Sequence, residues 1–463
     1  MAGLALLAVS LLMVGCAAPK LKPNVVLVLA DQWRAQACGY AGDPNLQGKT
    51  PSVDRLAAEG VVFSHAVSCC PVCTPYRASL LTGQYPLTHG LFLNDVCLST
   101  NATSLAQAYA QSGYDTAYIG KWHLDGHGRS AYIPPERRQG FDYWKVLECT
   151  HDYNRSFYYA GDDVTRRVWP GYDVAAQTKD AQAYLSRHAK SNRPFLLVLA
   201  WGPPHDPYGT APERYRQRFD PDGVAVRPNV QGSPNKDLAG YYAHIAAMDE
   251  CLGELLRTLD ETGLQENTVV VFTSDHGDML GSHGMGRKQK PWDEAILVPL
   301  VVRGPAVQKR RVIDTPINTP DLMPTLLGLC GEPIPATVQG EDCSGWIRGT
   351  GAPKDNPVLI ACYTPFGEWT RKRGGREYRG VRSARYTYVR DLQGPWLLYD
   401  NAVDPYQLDN LVGKPGSAVV QAELENELQR LLQKTGDSFL QGSAYVEKWG
   451  YAVDASGTVP FRW

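Results

Sequence analysis

Net charge is almost missing from this chain of 463 residues: 46 Lys and Arg face 48 Asp and Glu, leaving −2. No global field therefore draws it to nucleic acid or to other polyanions, and any anion it binds is held by a local cluster. A membrane-spanning run is missing too. The apolar stretch from Met1 to Gly15 falls short of the roughly 20 residues a transmembrane helix needs. There is no internal repeat and no low-complexity tract. The 11 cysteines are odd in number, and a chain of this length does not need a disulfide framework.

The short apolar start has a different use. It ends Leu12-Met13-Val14-Gly15-Cys16, which reads as a secretion signal with a lipoprotein-type cleavage site and Cys16 as the lipidated first residue. An ordinary signal peptide is the alternative. Residues 1–22 are therefore expected to be a leader, and the protein to be exported to the periplasm or cell surface. Any membrane contact would run through a lipid on Cys16.

Beyond the leader, buried-strand runs alternate with helical patterns. Pro23 to Ala30, Val61 to Ala66, Asp115 to Ile119, Pro194 to Trp201, Asn267 to Ser274 and Val298 to Val302 read as strands. Thr50 to Gly60, Leu105 to Gln111, Tyr172 to His188 and Leu238 to Leu264 read as helices. This alternation predicts an α/β fold with a mostly parallel central sheet covered by helices on both faces. Near residue 355 the texture changes. Pro357 to Tyr363, Tyr378 to Val389 and Trp396 to Tyr399 read as strands, and Glu423 to Leu432 as an amphipathic helix. A catalytic domain over 23–355 and a smaller antiparallel sheet with one helix over 356–463 are expected.

Ligands of open α/β sheets bind at the carboxyl ends of the strands. Asp31-Gln32, Lys121 with His123, His205 and Asp275-His276 all fall just after strand-like runs. Asp31, Gln32, Asp275 and His276 offer hard oxygens and one nitrogen, a donor set suited to Ca²⁺, with Mg²⁺ as the alternative. Lys121 and His123 lie two residues apart, on one face of an extended segment, where they can neutralise an oxyanion and handle a proton. His205 is held in Pro203-Pro204-His205-Asp206-Pro207, a stiff backbone.

The stretch Cys69-Cys70-Pro71-Val72-Cys73-Thr74-Pro75-Tyr76-Arg77-Ala78-Ser79-Leu80-Leu81-Thr82-Gly83 draws these together. Thr74 suits a helix cap, Pro75 a first turn and Gly83 the end. Cys73 is thus expected beside a helix N-terminus, where free N–H groups favour an anion, with Arg77 one turn in. A zinc site on Cys69, Cys70 and Cys73 competes, but no second Cys/His pair at ligand spacing follows nearby.

The Cys73-x-Pro75-x-Arg77 segment with Leu81-Thr82-Gly83 resembles the signature of the type I, formylglycine-dependent sulfatases of the alkaline phosphatase-like superfamily. One position departs: Tyr76 stands where the family usually carries a small residue. Gly120-Lys121-Trp122-His123 resembles a second family element. The resemblance runs in order from about Asn24 to Val302. It continues more weakly through Thr319 to Thr325 and Leu398 to Leu411. It implies a sulfuric ester hydrolase in which Cys73 is oxidised to formylglycine by a formylglycine-generating or anaerobic maturation enzyme. It also implies one divalent cation held by Asp31, Gln32, Asp275 and His276, with the formylglycine at position 73 as a further ligand. Many relatives carry Asp-Asp and Asp-Asn at those two pairs, so this site has less charge. Arg77, Lys121, His123, His205 and Lys288 would complete the catalytic set. The residues alone leave Arg287 and Lys290 open beside Lys288; the family spacing to Trp292 selects Lys288.

Substrate residues are read from composition. Arg371, Lys372, Arg373, Arg376, Arg379, Arg382 and Arg385 form a basic cluster interleaved with Trp369, Tyr378 and Tyr386. His151 and Tyr153, in His151-Asp152-Tyr153-Asn154-Arg155, are a second candidate wall. Both suggest an anionic sugar, hence a sulfated polysaccharide or oligosaccharide. A phosphodiesterase or phosphonate monoester hydrolase of the same superfamily is one alternative. A non-catalytic sulfated-glycan binder, should Cys73 stay a thiol, is the other.

Overall fold

Ten strands build the main sheet in the computed structural model, which describes residues 21–351 and 355–462. The lipidation reading at Cys16 lies outside the described residues. The strands are β1 (Asn24–Asp31), β2 (Val61–Phe63), β3 (Asp115–Lys121), β4 (Tyr143–Leu147), β5 (Phe157–Ala160), β6 (Asp163–Val168), β7 (Phe195–Pro204), β8 (Thr268–Ser274), β9 (Leu300–Arg303) and β10 (Arg311–Ile313). They run in the order β10-β2-β9-β8-β1-β7-β3-β4-β5-β6. The central five, β8-β1-β7-β3-β4, are parallel, so their carboxyl ends open on one edge.

β1 shows why the sheet needs two covers. All eight of its residues are buried. Val25, Leu27 and Leu29 face one core, while Val26, Val28 and Ala30 face the other, the period-2 alternation of a strand. On the second face lie α1 (Pro51–Glu59), α3 (Asp173–His188) and α4 (Asn235–Glu261). On the first lie α2 (Cys73–Thr82) and α5 (Leu322–Cys330), while α6 (Ala418–Thr435) joins the same apolar cluster by packing on the C-terminal strands. Each fully buried Val or Leu contributes roughly 1.5–3 kcal/mol, which is what holds the layers together.

Four further strands, β11 (Val358–Cys362), β12 (Tyr378–Arg382), β13 (Tyr386–Asp391) and β14 (Gly394–Asp400), form an antiparallel sheet in sequence order. It docks on the larger part through Ala361 N–H to Cys69 O, 2.8 Å, and Asn318 Nδ2 to Leu359 O, 3.0 Å. Leu359, Val381, Leu398 and Leu428 share one apolar cluster with α2 and α5.

Three local expectations change. Val61 to Ala66 is not one strand: Ala66–Val67 leaves the main sheet to pair with Leu297–Val298 in a small second one. β9 is antiparallel to β8 and does not continue the parallel series. Thr74 does not cap α2. The helix begins at Cys73 with Val72 at the cap position, and Thr74 Oγ1 donates to His123 O at 2.8 Å. Asn94 Oδ1 accepts the Thr74 amide at 3.1 Å, supplying the cap from another loop. Gly83 closes the helix with φ +64°, a conformation suited to glycine.

Candidate active site

Cys73 is the first residue of α2, and its side chain is fully enclosed. Structural cysteines sit among hydrocarbons, but this thiol is ringed by charge. From Cys73 Sγ it is 3.1 Å to Lys288 Nζ, 3.3 Å to His276 Nε2, 3.7 Å to Asp31 Oδ1 and 3.9 Å to Lys121 Nζ. Burial and the Asp31 carboxylate would raise its pKa. Lys121, Lys288 and His276 prevail and hold it well below the usual thiol range. The sulfur here stands in for whatever oxygen functionality a modified residue 73 would carry.

The strand ends deliver the other groups. Asp31 closes β1, Lys121 closes β3, His205 follows β7 and Asp275-His276 follow β8. Arg77 lies one helical turn after Cys73, and its Nη2 reaches Asp31 Oδ2 at 3.0 Å and Asp275 Oδ2 at 3.1 Å. Its Nη1 donates to Lys121 O at 2.9 Å, locking the end of β3 to α2. Lys121 Nζ pairs with Asp31 Oδ2 at 2.6 Å. Burial would raise the Asp31 pKa, but Lys121, His205, Arg77 and His276 hold it well below the ordinary carboxylate range. Asp275 goes the other way, pushed up to about 6 by burial and by the neighbouring Asp31 charge. Two carboxylates thus meet the cations Arg77, Lys121 and Lys288 around the Cys73 side chain.

Asp31, Cys73, Asp275 and His276 each present a ligand atom within 4.8 Å of one another. His276 donates Nδ1–H to Gly277 O at 2.9 Å, so its Nε2 lone pair faces the centre, as a metal ligand requires. Gln32 stands beside the group with φ +70°. Its Nε2 donates to Asp278 Oδ2 at 2.6 Å and to Tyr208 Oη at 3.2 Å, while its buried Oε1 has no partner among the described residues. An orphaned amide oxygen beside two carboxylates and an imidazole is the donor set of a hard divalent cation. The residues fit one.

His205 donates Nδ1–H to Asp206 O at 2.9 Å and accepts at Nε2 from Lys288 Nζ, 3.0 Å away. The His151 ring stacks on it at 4.6 Å, tilted by 12°. His123 meets Asp95 Oδ1 at 3.3 Å, and Arg129 grips Asp95 through Nε and Nη2. Burial alone would lower the His123 pKa; Cys149 and Asp95 raise it to about 10.

A cleft of about 240 Å³ opens over Cys73. Lys121, His123, His151, His205 and Lys288 line it, joined by Arg129, Arg287, Glu368, Thr458 and Phe461. Sequence reasoning missed Asp95, Arg129, Glu368, Thr458 and Phe461. None belongs to a spaced motif, and Thr458 and Phe461 arrive from the far end of the chain. Arg129 was findable only as a lone basic residue in a long loop; its guanidinium lies 3.4 Å from the Phe461 ring centre.

Several expected substrate contacts do not reach this cleft. Tyr153 is wholly buried, its hydroxyl donating to Asp206 O at 3.1 Å; it braces the His205 loop from behind. Arg376 turns to Asp391 at 2.8 Å and lies against Trp396. Arg371 is tied to Glu377, and with Arg373 it borders a neighbouring groove rather than the cleft. Trp369 and Tyr378 are core residues, and Arg379 and Arg382 are buried in ion pairs with Asp437 and Asp293. A basic run in sequence is here mostly a set of structural pairs. Lys290, one of the alternatives to Lys288, donates to Gly286 O at 2.8 Å. Arg287 pairs with Asp206 at 3.0 Å at the rim. The zinc reading also falls: Cys69 and Cys70 lie in the apolar core, away from the His276 cluster.

Comparison with known proteins gives a consistent result. Residues 23–332 match the Sulfatase family model, and residues 281–434 match that of the N-sulphoglucosamine sulphohydrolase C-terminal region. An ulvan-active sulfatase of Formosa agariphila is 46% identical over 441 residues, covering 93% of this chain and 85% of the relative. An endo-4-O-sulfatase of Bacteroides thetaiotaomicron is 30% identical over 510 residues, covering 94% and 96%. A solved Bacteroides thetaiotaomicron protein of multiple-glycosaminoglycan metabolism superposes with a TM-score of 0.81 at 28% identity, covering 95% of this chain and all of its own.

Proposed function

The chain belongs to the sulfatase family and is a sulfuric ester hydrolase, and we propose that it removes sulfate from a sulfated polysaccharide or its oligosaccharides at Cys73. The observation that carries this reading is the convergence of Lys288, His276, Asp31 and Lys121 within 3.9 Å of one buried thiol. The polysaccharide part is supported by the activity named for the 46% identical relative. Export is supported by the apolar leader ending at Cys16.

Formylglycine at position 73, made by a maturation enzyme, would supply the nucleophilic oxygen. A cation held by Asp31, Gln32, Asp275 and His276, with Ca²⁺ the expected ion and Mg²⁺ the alternative, would supply Lewis acidity. This chain's own residues do the rest. Arg77 ties Asp31 to Asp275 through Nη2 and neutralises part of their charge. Lys121 and Lys288 present ammonium N–H groups to sulfuryl oxygens, where developing negative charge is stabilised. His205 and Lys288 share one proton between Nε2 and Nζ, within reach of a departing sugar oxygen. His123, kept protonated by Cys149 and Asp95, presents a cationic N–H on the opposite wall of the cleft. Glu368, with a buried oxygen that has no partner among the described residues, is placed to accept from a sugar hydroxyl.

The test is sulfate release, by ion chromatography, from ulvan and from glycosaminoglycan, for the wild type and for Cys73→Ala. Release by the wild type alone is expected. Turnover of phosphate or phosphonate esters with no release from either polysaccharide would overturn the reading.

A further inference from the structure

The catalytic cleft does not end at its own rim. A second groove of about 770 Å³ adjoins it, and Gly367 stands in the wall of both. The loop carrying Gly367 is tied to the chain's C-terminal segment, with Gly367 N–H donating to Ser456 O at 3.1 Å. Gly367 has φ +58°, and a Cβ there would meet only Thr458 Oγ1, at 3.6 Å. Gly367 thus forms a saddle that itself puts no side chain between the two cavities, flanked on the cleft side by Glu368 and Thr458.

The far wall of the groove is the turn Arg371–Arg373, closed by Gly374 at φ +81°. All three basic residues are exposed, and Glu447 is the lone carboxylate lining the groove. Their neighbours in sequence are already neutralised: Arg376 by Asp391, Arg379 by Asp437, Arg382 by Asp293 and Arg385 by Asp400. Arg371 is tied to Glu377. Lys372 and Arg373 form no ion pair among the described residues. Lys372 and Arg373 thus give the groove a local positive charge that its one carboxylate, Glu447, does not cancel. The groove is far larger than one sulfate and of the size that encloses a molecule of several rings.

We propose that this groove is a second subsite, in which Lys372 and Arg373 bind an anionic group, sulfate or carboxylate, on a neighbouring sugar of the polymer whose sulfate lies at Cys73. The polymer crosses the Gly367 saddle. The inference rests on the polysaccharide reading above.

Affinity electrophoresis of the full chain in gels containing dextran sulfate, with neutral dextran as the blank, tests it. Wild type is expected to be retarded by dextran sulfate. K372E/R373E is expected to lose most of that retardation. K309E/R310E, the same charge change at exposed residues outside the groove, is expected to keep it. Equal retardation of K372E/R373E and wild type, or equal loss in both double variants, would overturn the proposal. Because the readout is binding, an absence of sulfate release by the wild type would count against the proposed function and leave this result legible. Thermal melting of each variant confirms that a lost band shift is not lost folding.

Discussion

Lys288 Nζ donates to His205 Nε2 across 3.0 Å while lying 3.1 Å from Cys73 Sγ. The imidazole can accept only when neutral, and burial together with the Lys288 charge holds its pKa well below the usual histidine range. His205 therefore does not set the acid limb of activity in the wild type. Replacing Lys288 with Met removes a sulfuryl-facing ammonium and should cut kcat by roughly 10²- to 10³-fold. It should also let the His205 pKa rise toward the ordinary histidine range, so the pH profile of kcat/KM shifts and gains an ionisation the wild type lacks. A pH–rate profile of Lys288→Met that loses activity without any such movement would contradict the pairing.

Cation binding should weaken in acid. Asp275, pushed up to about 6 by burial and Asp31, must shed its proton before it can ligate, so apparent affinity falls once the pH drops below that value. Dialysis against a chelator should abolish sulfate release and lower the melting temperature, and Ca²⁺ or Mg²⁺ should restore both. Titration by calorimetry at pH 7.5 and 5.0 checks the sign: tighter binding at pH 5.0 would be inconsistent with this donor set.

His89 gives a stability prediction free of the metal. Its Nδ1 accepts from Leu91 N–H at 3.1 Å, so Nε2–H donates to Ser79 Oγ at 3.0 Å under α2. Burial lowers its pKa from 6.5 to about 3. Between those values the unfolded chain takes up a proton that the folded one refuses. The group's contribution is therefore complete above pH 6.5 and is lost as the pH falls, by about 1.4 kcal/mol per pH unit. His89→Gln should remove that slope. Between pH 7 and 5 the wild type should lose about 2 kcal/mol more than the variant, measured by urea denaturation; parallel losses would refute the neutral histidine.

Gln289 clamps the Phe366 loop to the segment that carries Lys288. Its Nε2 donates to Phe366 O at 3.0 Å and its Oε1 accepts from Phe366 N–H at 3.2 Å, one residue from Lys288. Gln289→Ala leaves the buried Phe366 N–H unpaired, while Phe366 O keeps its bond from Trp369 N–H at 3.1 Å, and should destabilise the protein by roughly 1–3 kcal/mol. The wall formed by Phe366 to Glu368 should loosen, raising KM more than it lowers kcat. Steady-state kinetics on a polysaccharide substrate distinguish this from a fall in kcat alone.

The catalytic half of this site was legible in sequence because strand ends announce themselves. Asp31, Lys121, His205 and Asp275 each follow an apolar run, and a parallel sheet brings such ends to one edge. Cys73 and Arg77 were legible from helix spacing. The substrate half was not. Arg379 and Asp437 lie 58 residues apart yet form one buried pair, and no local pattern separates such a pair from a solvent-facing cation. Tyr153 reads as a sugar-stacking ring until its hydroxyl is seen bonded to Asp206 O. Thr458 and Phe461 reach the cleft through tertiary packing that periodicity does not encode. The antiparallel β9 was missed because burial on both faces looks the same in either direction.

The central claim is that residue 73 works as an oxidised cysteine inside a ring of cations. The most direct measurement is the mass of the tryptic peptide carrying position 73, from protein purified from its native host. The expected species is about 18 Da lighter than the cysteine form and is trapped further by an aldehyde-reactive hydrazide. A peptide carrying only an intact thiol at Cys73, in preparations that nevertheless release sulfate, would contradict it.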